Sequence, residues 1–146
     1  MANLLKRFNK EVVGSDDHIY DYVAKITARG DFKRVKDLDV IITSWNNILM
    51  TPRRTYIMDP DYGSDLHTIL FDPVDESTVE RIKTEVVSRI RTYDNRARID
   101  GVEVTLNSNR KGFSVHILAD YDGAEGTLSV KFDDSTVVRQ NGSSAL

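Results

Sequence analysis

The apolar residues of this chain change their period just after Tyr93, and that change limits what it can fold into. Before it they recur at helical spacing. Val79, Ile82, Val86 and Ile90 form one stripe over residues 77–92. Leu38, Ile41, Ile42, Trp45, Ile48 and Leu49 form another over residues 38–50. Both follow the i, i+3, i+4, i+7 rule of a half-buried helix. After Tyr93 the period is two: Val102, Val104 and Leu106, then Phe113, Val115 and Ile117, then Leu128, Val130 and Phe132. The stretches between them, NSNRKG and DGAEG, are turn-rich, so this half reads as a three-stranded antiparallel meander. A fourth short strand is expected near Ile99 or at Val137–Val138. Helices first and strands later imply an α+β fold, with N-terminal and central helices packed on a small antiparallel sheet.

The first 37 residues read as a helical arm or docking segment. Leu4, Leu5, Phe8 and Val12 suit one helical stripe. Asp16 and Asp17 precede HIYDYVAKI, which has helical spacing and is ended by Gly30. Residues 38–138 then form one α+β domain, and residues 139–146, NGSSAL with its preceding Arg-Gln, read as a mobile tail. Inside the domain, residues 50–59 suggest two short strands around Thr51-Pro52-Arg53-Arg54, a hairpin in addition to the meander. Asp59-Pro60-Asp61-Tyr62-Gly63 is a corner. Ser64 or Asp65 caps a short helix carrying Leu66, Ile69, Leu70 and Phe71. Ser77 and Glu80 form a capping box for the helix that follows, with Arg81–Glu85 and Glu85–Arg89 as solvent-side pairs.

Composition removes several functions. There is no cysteine, so neither a disulfide framework nor a thiolate metal site is available. The net charge is −3, with acids and bases interleaved, which gives no footprint for nucleic acid. No apolar run approaches the roughly 20 residues that span a bilayer, so no membrane partner is expected. His18, His67 and His116 are scattered and match no metal-ligand spacing, so no metal and no cofactor are expected. Glycoside hydrolysis needs two carboxylates at set separation, one with its proton held by an apolar pocket. The acids here sit at caps, in a Pro/Gly corner or beside arginines, and no catalytic residue is assigned.

Interaction has better material. Arg89 and Arg91 suit the electronegative end of their helix, whereas Arg96 and Arg98 lie beyond it. An arginine at a rigid helix-to-strand junction can hold a partner's carboxylate or carbonyl in a fixed fork, or close an ion pair within its own chain.

Taken in order, LMTPRRTYIM, Pro60-Asp61-Tyr62-Gly63, LHTILF, STVERIK and Tyr93-Asp94-Asn95-Arg96 resemble the baseplate wedge family of contractile tails, whose members initiate the sheath and often carry a lysozyme-like label. The likeness runs along residues 38–106. The family's Glu-Pro-Arg motif stands here as Asp94-Asn95-Arg96, which keeps the acid and the arginine in type and loses the proline.

The resemblance implies a structural part with no enzymatic activity. It links the wedge to the first sheath ring and initiates sheath polymerisation by strand addition. The implied partners are the sheath protein, the helical core bundle of the other wedge proteins and tail tube or hub proteins, with six copies per baseplate in a virion assembled in the bacterial cytoplasm. Tyr93, Asp94, Asn95, Arg96 and Arg98 are the implied wedge contacts. Leu128, Val130 and Phe132, or Val137 and Val138, mark the sheath-contacting strand. The alternatives are a peptidoglycan-degrading enzyme, the equivalent baseplate part of a type VI or extracellular injection system, and a generic interaction domain.

Overall fold

The structure is a computed structural model that describes residues 18–73, 75–107 and 112–133. It divides into two compact units, Met1–Val40 and Ile41–Leu146.

The first unit contains an antiparallel ribbon of β1 (Tyr20–Ile26) and β2 (Phe32–Lys36). The helix expected over HIYDYVAKI is therefore a strand. Its Tyr, Val and Ile residues are strong strand formers, and Phe32 and Val35 supply the cross-strand neighbours that a local helical reading ignores. Gly30 ends no helix. At φ 86 it shapes the turn between the strands, where its N–H donates to the Thr27 carbonyl at 2.9 Å. Asp37 closes the base of the ribbon: its carboxylate accepts from the Ile19 N–H at 3.1 Å and pairs with His18 at 2.8 Å. The stripe through Leu4 and Phe8 and the cap at Asp16 and Asp17 lie outside the described residues, as do Val137, Val138 and the tail.

The second unit holds the core. Helix α1 (Leu38–Met50) opens at the end of the first unit and buries Ile41, Trp45, Ile48 and Leu49, so Trp45 is a core residue. Helix α2 is a single turn, Leu66–Ile69, and helix α3 (Glu76–Tyr93) is the longest element. Helix α3 buries Ile82, Val86 and Ile90 as the spacing predicts, but Thr78 takes the fully buried place expected of Val79. Its cap is Asp75, whose carboxylate accepts from the Thr78 N–H at 2.8 Å and the Ser77 hydroxyl at 2.7 Å. Ser77 thus supports the cap instead of forming a box with Glu80. Those two bonds hold the Asp75 carboxyl below its ordinary range.

Strands β3 (Arg98–Asn107), β4 (Gly112–Tyr121) and β5 (Ala124–Phe132) form an antiparallel sheet in that order. The register lines up the three apolar sets residue by residue: Val102, Ile117 and Leu128; Val104, Val115 and Val130; Leu106, Phe113 and Phe132. Phe113 and Phe132 stack with their centroids 5.0 Å apart. Central β4 is buried on this face, while its β3 neighbours Val102, Val104 and Leu106 are only half-buried. Ile99 starts β3 instead of making a separate strand, with a register shift before Gly101. The second turn is Asp122–Gly123 alone, and Ala124, Glu125 and Gly126 already belong to β5. Helix α3 packs against β3, and α2 against α3.

The hairpin expected over residues 50–59 does not form. Pro52 instead makes an isolated parallel bridge to Ser64. The N–H of Ser64 donates to the Thr51 carbonyl at 2.9 Å, and the N–H of Arg53 donates to Ser64 at 3.2 Å. The physical reason lies in the corner. Gly63 has φ 104, and a Cβ there would stand 2.2 Å from the Thr51 oxygen. The glycine lets the chain return flush against Thr51, and the Pro60–Gly63 turn outcompetes Tyr56–Met58 as the pairing partner.

Candidate docking site at the helix-to-strand junction

Helix α3 ends by closing its last turn on Asp94, whose N–H donates to the Ile90 carbonyl at 2.7 Å. Asp94 then turns extended, φ −149 and ψ 98, and its side chain goes inward, leaving the residue 6% exposed. The carboxylate accepts from the Arg96 guanidinium through Nε at 2.8 Å and Nη2 at 2.5 Å, and from the Arg96 backbone N–H at 3.2 Å. The Ser44 side chain on α1 also bonds it. Burial pushes the Asp94 carboxyl up, but the bonds from Arg96 and Ser44 outweigh it and hold the group below its ordinary range. The acid is therefore an internal anchor. Arg96, with 38% of its side chain exposed, is the member of the pair that reaches the surface.

This geometry accounts for the missing proline. A residue before proline is driven to extended backbone, and Asp94 already has that conformation. The bidentate fork to Arg96 restrains the junction from the side-chain direction, and exposed Asn95 is left only to span it. Arg98 is separate: it pairs with Asp100 at 2.7 Å and with Asp120 on β4 at 2.8 Å, tying the start of β3 across the sheet. Arg91, in the last turn of α3, is exposed.

Tyr93 connects the junction to the corner, a link the sequence spacing does not reveal. Its ring meets Tyr62 edge-on at 5.1 Å, and Tyr62 meets Tyr56 at 5.4 Å. Burial raises the Tyr62 phenol above its ordinary range, and Tyr56, Tyr93 and Asp94 push the same way. The corner is also clamped by charge. Arg53 donates to Asp65 at 2.8 Å and to Asp61 at 2.9 Å, which raises the guanidinium further. The N–H of Asp65 donates to Glu85 on α3 at 2.9 Å, and Glu85 in turn accepts from Arg89 at 3.0 Å. Glu85 and Arg89 are half-buried, so this pair is not on the solvent side as the helical wheel suggests. Arg81, expected beside Glu85, pairs with Asp72 instead.

The sheath-strand candidates divide in the same way. Leu128, Val130 and Phe132 are at most 6% exposed, so their side chains belong to the core, and β5 offers outward only its main chain and its alternate residues.

A shallow groove lined by Asp65, Thr68, Ile69, Glu80, Arg81 and Glu85 collects the carboxylates that a hydrolase would need. Asp65 is bound by Arg53, Glu80 by Lys83 and Glu85 by Arg89. Among the described residues no group of three His, Cys, Asp or Glu side chains is placed to hold a metal ion, and no helix is long and apolar enough to cross a membrane.

Residues 36–123, more than half of the chain, match the family described as baseplate wedge protein gp25. The chain belongs to this family. That is the baseplate wedge family to which the motifs from Leu49 to Arg96 point. Among solved structures it resembles a protein from Geobacter sulfurreducens provisionally described as a tail lysozyme. That one is 21% identical, covering 65% of this chain and 88% of its own, with TM-score 0.59. It also resembles a chain of the type VI secretion baseplate complex, 17% identical over 66% of this chain and 92% of the other, TM-score 0.56. A chain of the anti-feeding prophage baseplate is 12% identical over 84% of this chain and 94% of its own, TM-score 0.56. These likenesses are likenesses of fold. No curated protein matches the sequence.

Proposed function

We propose that this chain is a structural wedge subunit, not an enzyme, that grips the helical core of the baseplate wedge and seeds the first ring of sheath protein. The observation that carries this reading is the Asp94–Arg96 fork. A buried acid holds an arginine at the surface of a rigid helix-to-strand junction, within the span that matches the wedge family. Such an arginine loses little freedom on binding a carboxylate or carbonyl of a partner. Tyr93, Asn95 and Arg98 flank it.

On the other side, β5 is an outer strand of a three-stranded sheet whose inner face is already filled. Strand addition needs only main-chain groups, so the buried Leu128, Val130 and Phe132 do not obstruct it. The receiving edge is β5 itself or the Val137–Val138 segment beyond it. A sheath is an open helical polymer, and a ring of templates sets its start and register. Six copies in a virion baseplate, contacting tube or hub proteins as well, are part of this reading because the resemblance to the family implies them.

Two observations weigh against hydrolysis. The carboxylates of the groove are bound by basic side chains, and Asp75 and Asp94 are both held below their ordinary range. A general acid needs the opposite. The second reading, the equivalent subunit of a type VI or extracellular injection particle, is favoured by the likeness to those baseplates and keeps the same mechanism.

The test is sheath assembly from purified sheath protein and partial baseplates with or without this chain. Sheaths of uniform length and register are expected only when it is present. Identical sheaths without it would refute the initiator role. Arg96→Ala is expected to weaken wedge binding in a chain that still folds but is less stable, because buried Asp94 loses its guanidinium partner.

A further inference from the structure

The loop between Arg53 and Pro60 carries three consecutive large apolar side chains in the open: Tyr56 is 49% exposed, Ile57 92% and Met58 82%. A loop has no need of such residues for its own stability, and the surrounding bonds show that this one is held in place. The N–H of Arg54 donates to the Pro60 carbonyl at 2.9 Å, and the Thr55 hydroxyl donates to the Pro52 carbonyl at 2.7 Å. Arg53 clamps the far side through Asp61 and Asp65. At the root, Arg54 adopts φ 69, a left-handed conformation that is costly for a residue with a side chain. The rings of Tyr56, Tyr62 and Tyr93 then carry the loop directly onto the junction that holds Arg96.

We propose that Tyr56, Ile57 and Met58 form a rigid apolar knob that inserts into a concave apolar groove of a neighbouring baseplate protein, with carboxylates on the rim of that groove. The inference rests on the reading of the junction as the wedge contact, and adds its apolar centre. Two features select this occupant. Residues 53–63 form no strand ladder, so side chains and not the main chain do the recognising, and a convex apolar tip needs a concave partner. Arg54, at the root of the knob, is exposed and, among the described residues, has no carboxylate within ion-pair distance. Acidic side chains on the rim of the partner would complement it.

The experiment measures binding of the full chain to the purified helical wedge proteins of the same particle, using four forms: wild type, Ile57→Asp with Met58→Asp, Ile57→Leu with Met58→Leu, and Arg96→Ala. Because both residues are exposed, the aspartate pair should melt like wild type. Its affinity should fall about tenfold or more, as for a central apolar anchor, while the leucine pair binds normally. If the aspartate pair binds like wild type while Arg96→Ala binds weakly, the knob is overturned and the junction reading survives. If wild type does not bind at all, both fall. Binding to vesicles of anionic phospholipid, or self-association, that is lost in the aspartate pair would assign the loop to a lipid surface or to a second copy and overturn the proposal.

Discussion

The corner around Gly63 and the turn around Gly30 both hold a glycine at positive φ, and in other respects they are opposites. At Gly63 a Cβ would strike the Thr51 carbonyl, whereas at Gly30 it would meet nothing within 4 Å. The corner has Asp61 and Asp65 paired with Arg53 at short range, its backbone bonded to the end of α1 and its Tyr62 ring edge-on to Tyr93. The ribbon leaves Tyr22 65%, Ile26 75% and Phe32 63% exposed, on two strands that pair only with each other among the described residues. Two-stranded ribbons are marginal alone. Aromatic residues therefore mean different things in the two places: in the corner they shape a rigid surface, and in the ribbon they lie exposed on a strand pair that has no third strand among the described residues.

Substitutions can break or sharpen this contrast. The largest effect is expected from Gly63→Ala, which combines the left-handed backbone with a main-chain clash. A loss of about 3 kcal/mol or more is expected in a denaturant titration, or failure to fold. A mild effect would mean that the corner yields easily. Next is Asp94→Ala, which strips Arg96 and Ser44 of a buried acceptor and should cost about 2 kcal/mol. Its pH signature follows in sign. The folded Asp94 carboxyl lies below its unfolded value of 3.8, so its contribution is complete above that value and is lost as pH falls through the folded pKa. Melts below about pH 4 should converge for wild type and the variant.

His67 acts at higher pH. Burial lowers its imidazole below 6.5, against a smaller opposing effect from its bond to the Met50 carbonyl. Its contribution is complete above pH 6.5 and fades as pH falls below it. His67→Gln should flatten that part of the stability profile.

In the ribbon, Gly30→Ala meets only the backbone penalty, about 1 kcal/mol, because no atom stands in the way. A cost equal to that of Gly63→Ala would erase the distinction between the two glycines. Asn95→Pro should stabilise by about 0.5 kcal/mol, since Asp94 is already extended. A loss instead would show that the junction needs a conformation proline cannot take. Smallest of all, Tyr22→Ser on the open ribbon face should shift stability by less than about 0.5 kcal/mol.

Periodic patterns were legible wherever one element met one buried face. The α1 and α3 stripes and the three sets of the meander are read directly from residue spacing, because burial on one side imposes periods of 3.6 and two. The signals failed where local propensity had two outlets. The spacing of Ile19, Tyr22, Val23 and Ile26 fits a helix while their residue types favour a strand, and only the pairing with Phe32–Lys36 decides. Thr51–Met58 looks like half of a hairpin until Gly63 brings Ser64 alongside Pro52.

At the site, the sequence by itself determined the family, the acid and arginine of the junction, and the need for a tight corner at Pro60–Gly63. Those depend on residue type and order along the chain. The tertiary structure alone decided that Asp94 faces inward to Ser44, that Glu85 is tied to the corner through the Asp65 N–H, and that Tyr93 reaches Tyr62. These contacts join residues distant along the chain, and only the packing of α1, the corner and α3 around one core brings them within a few ångströms.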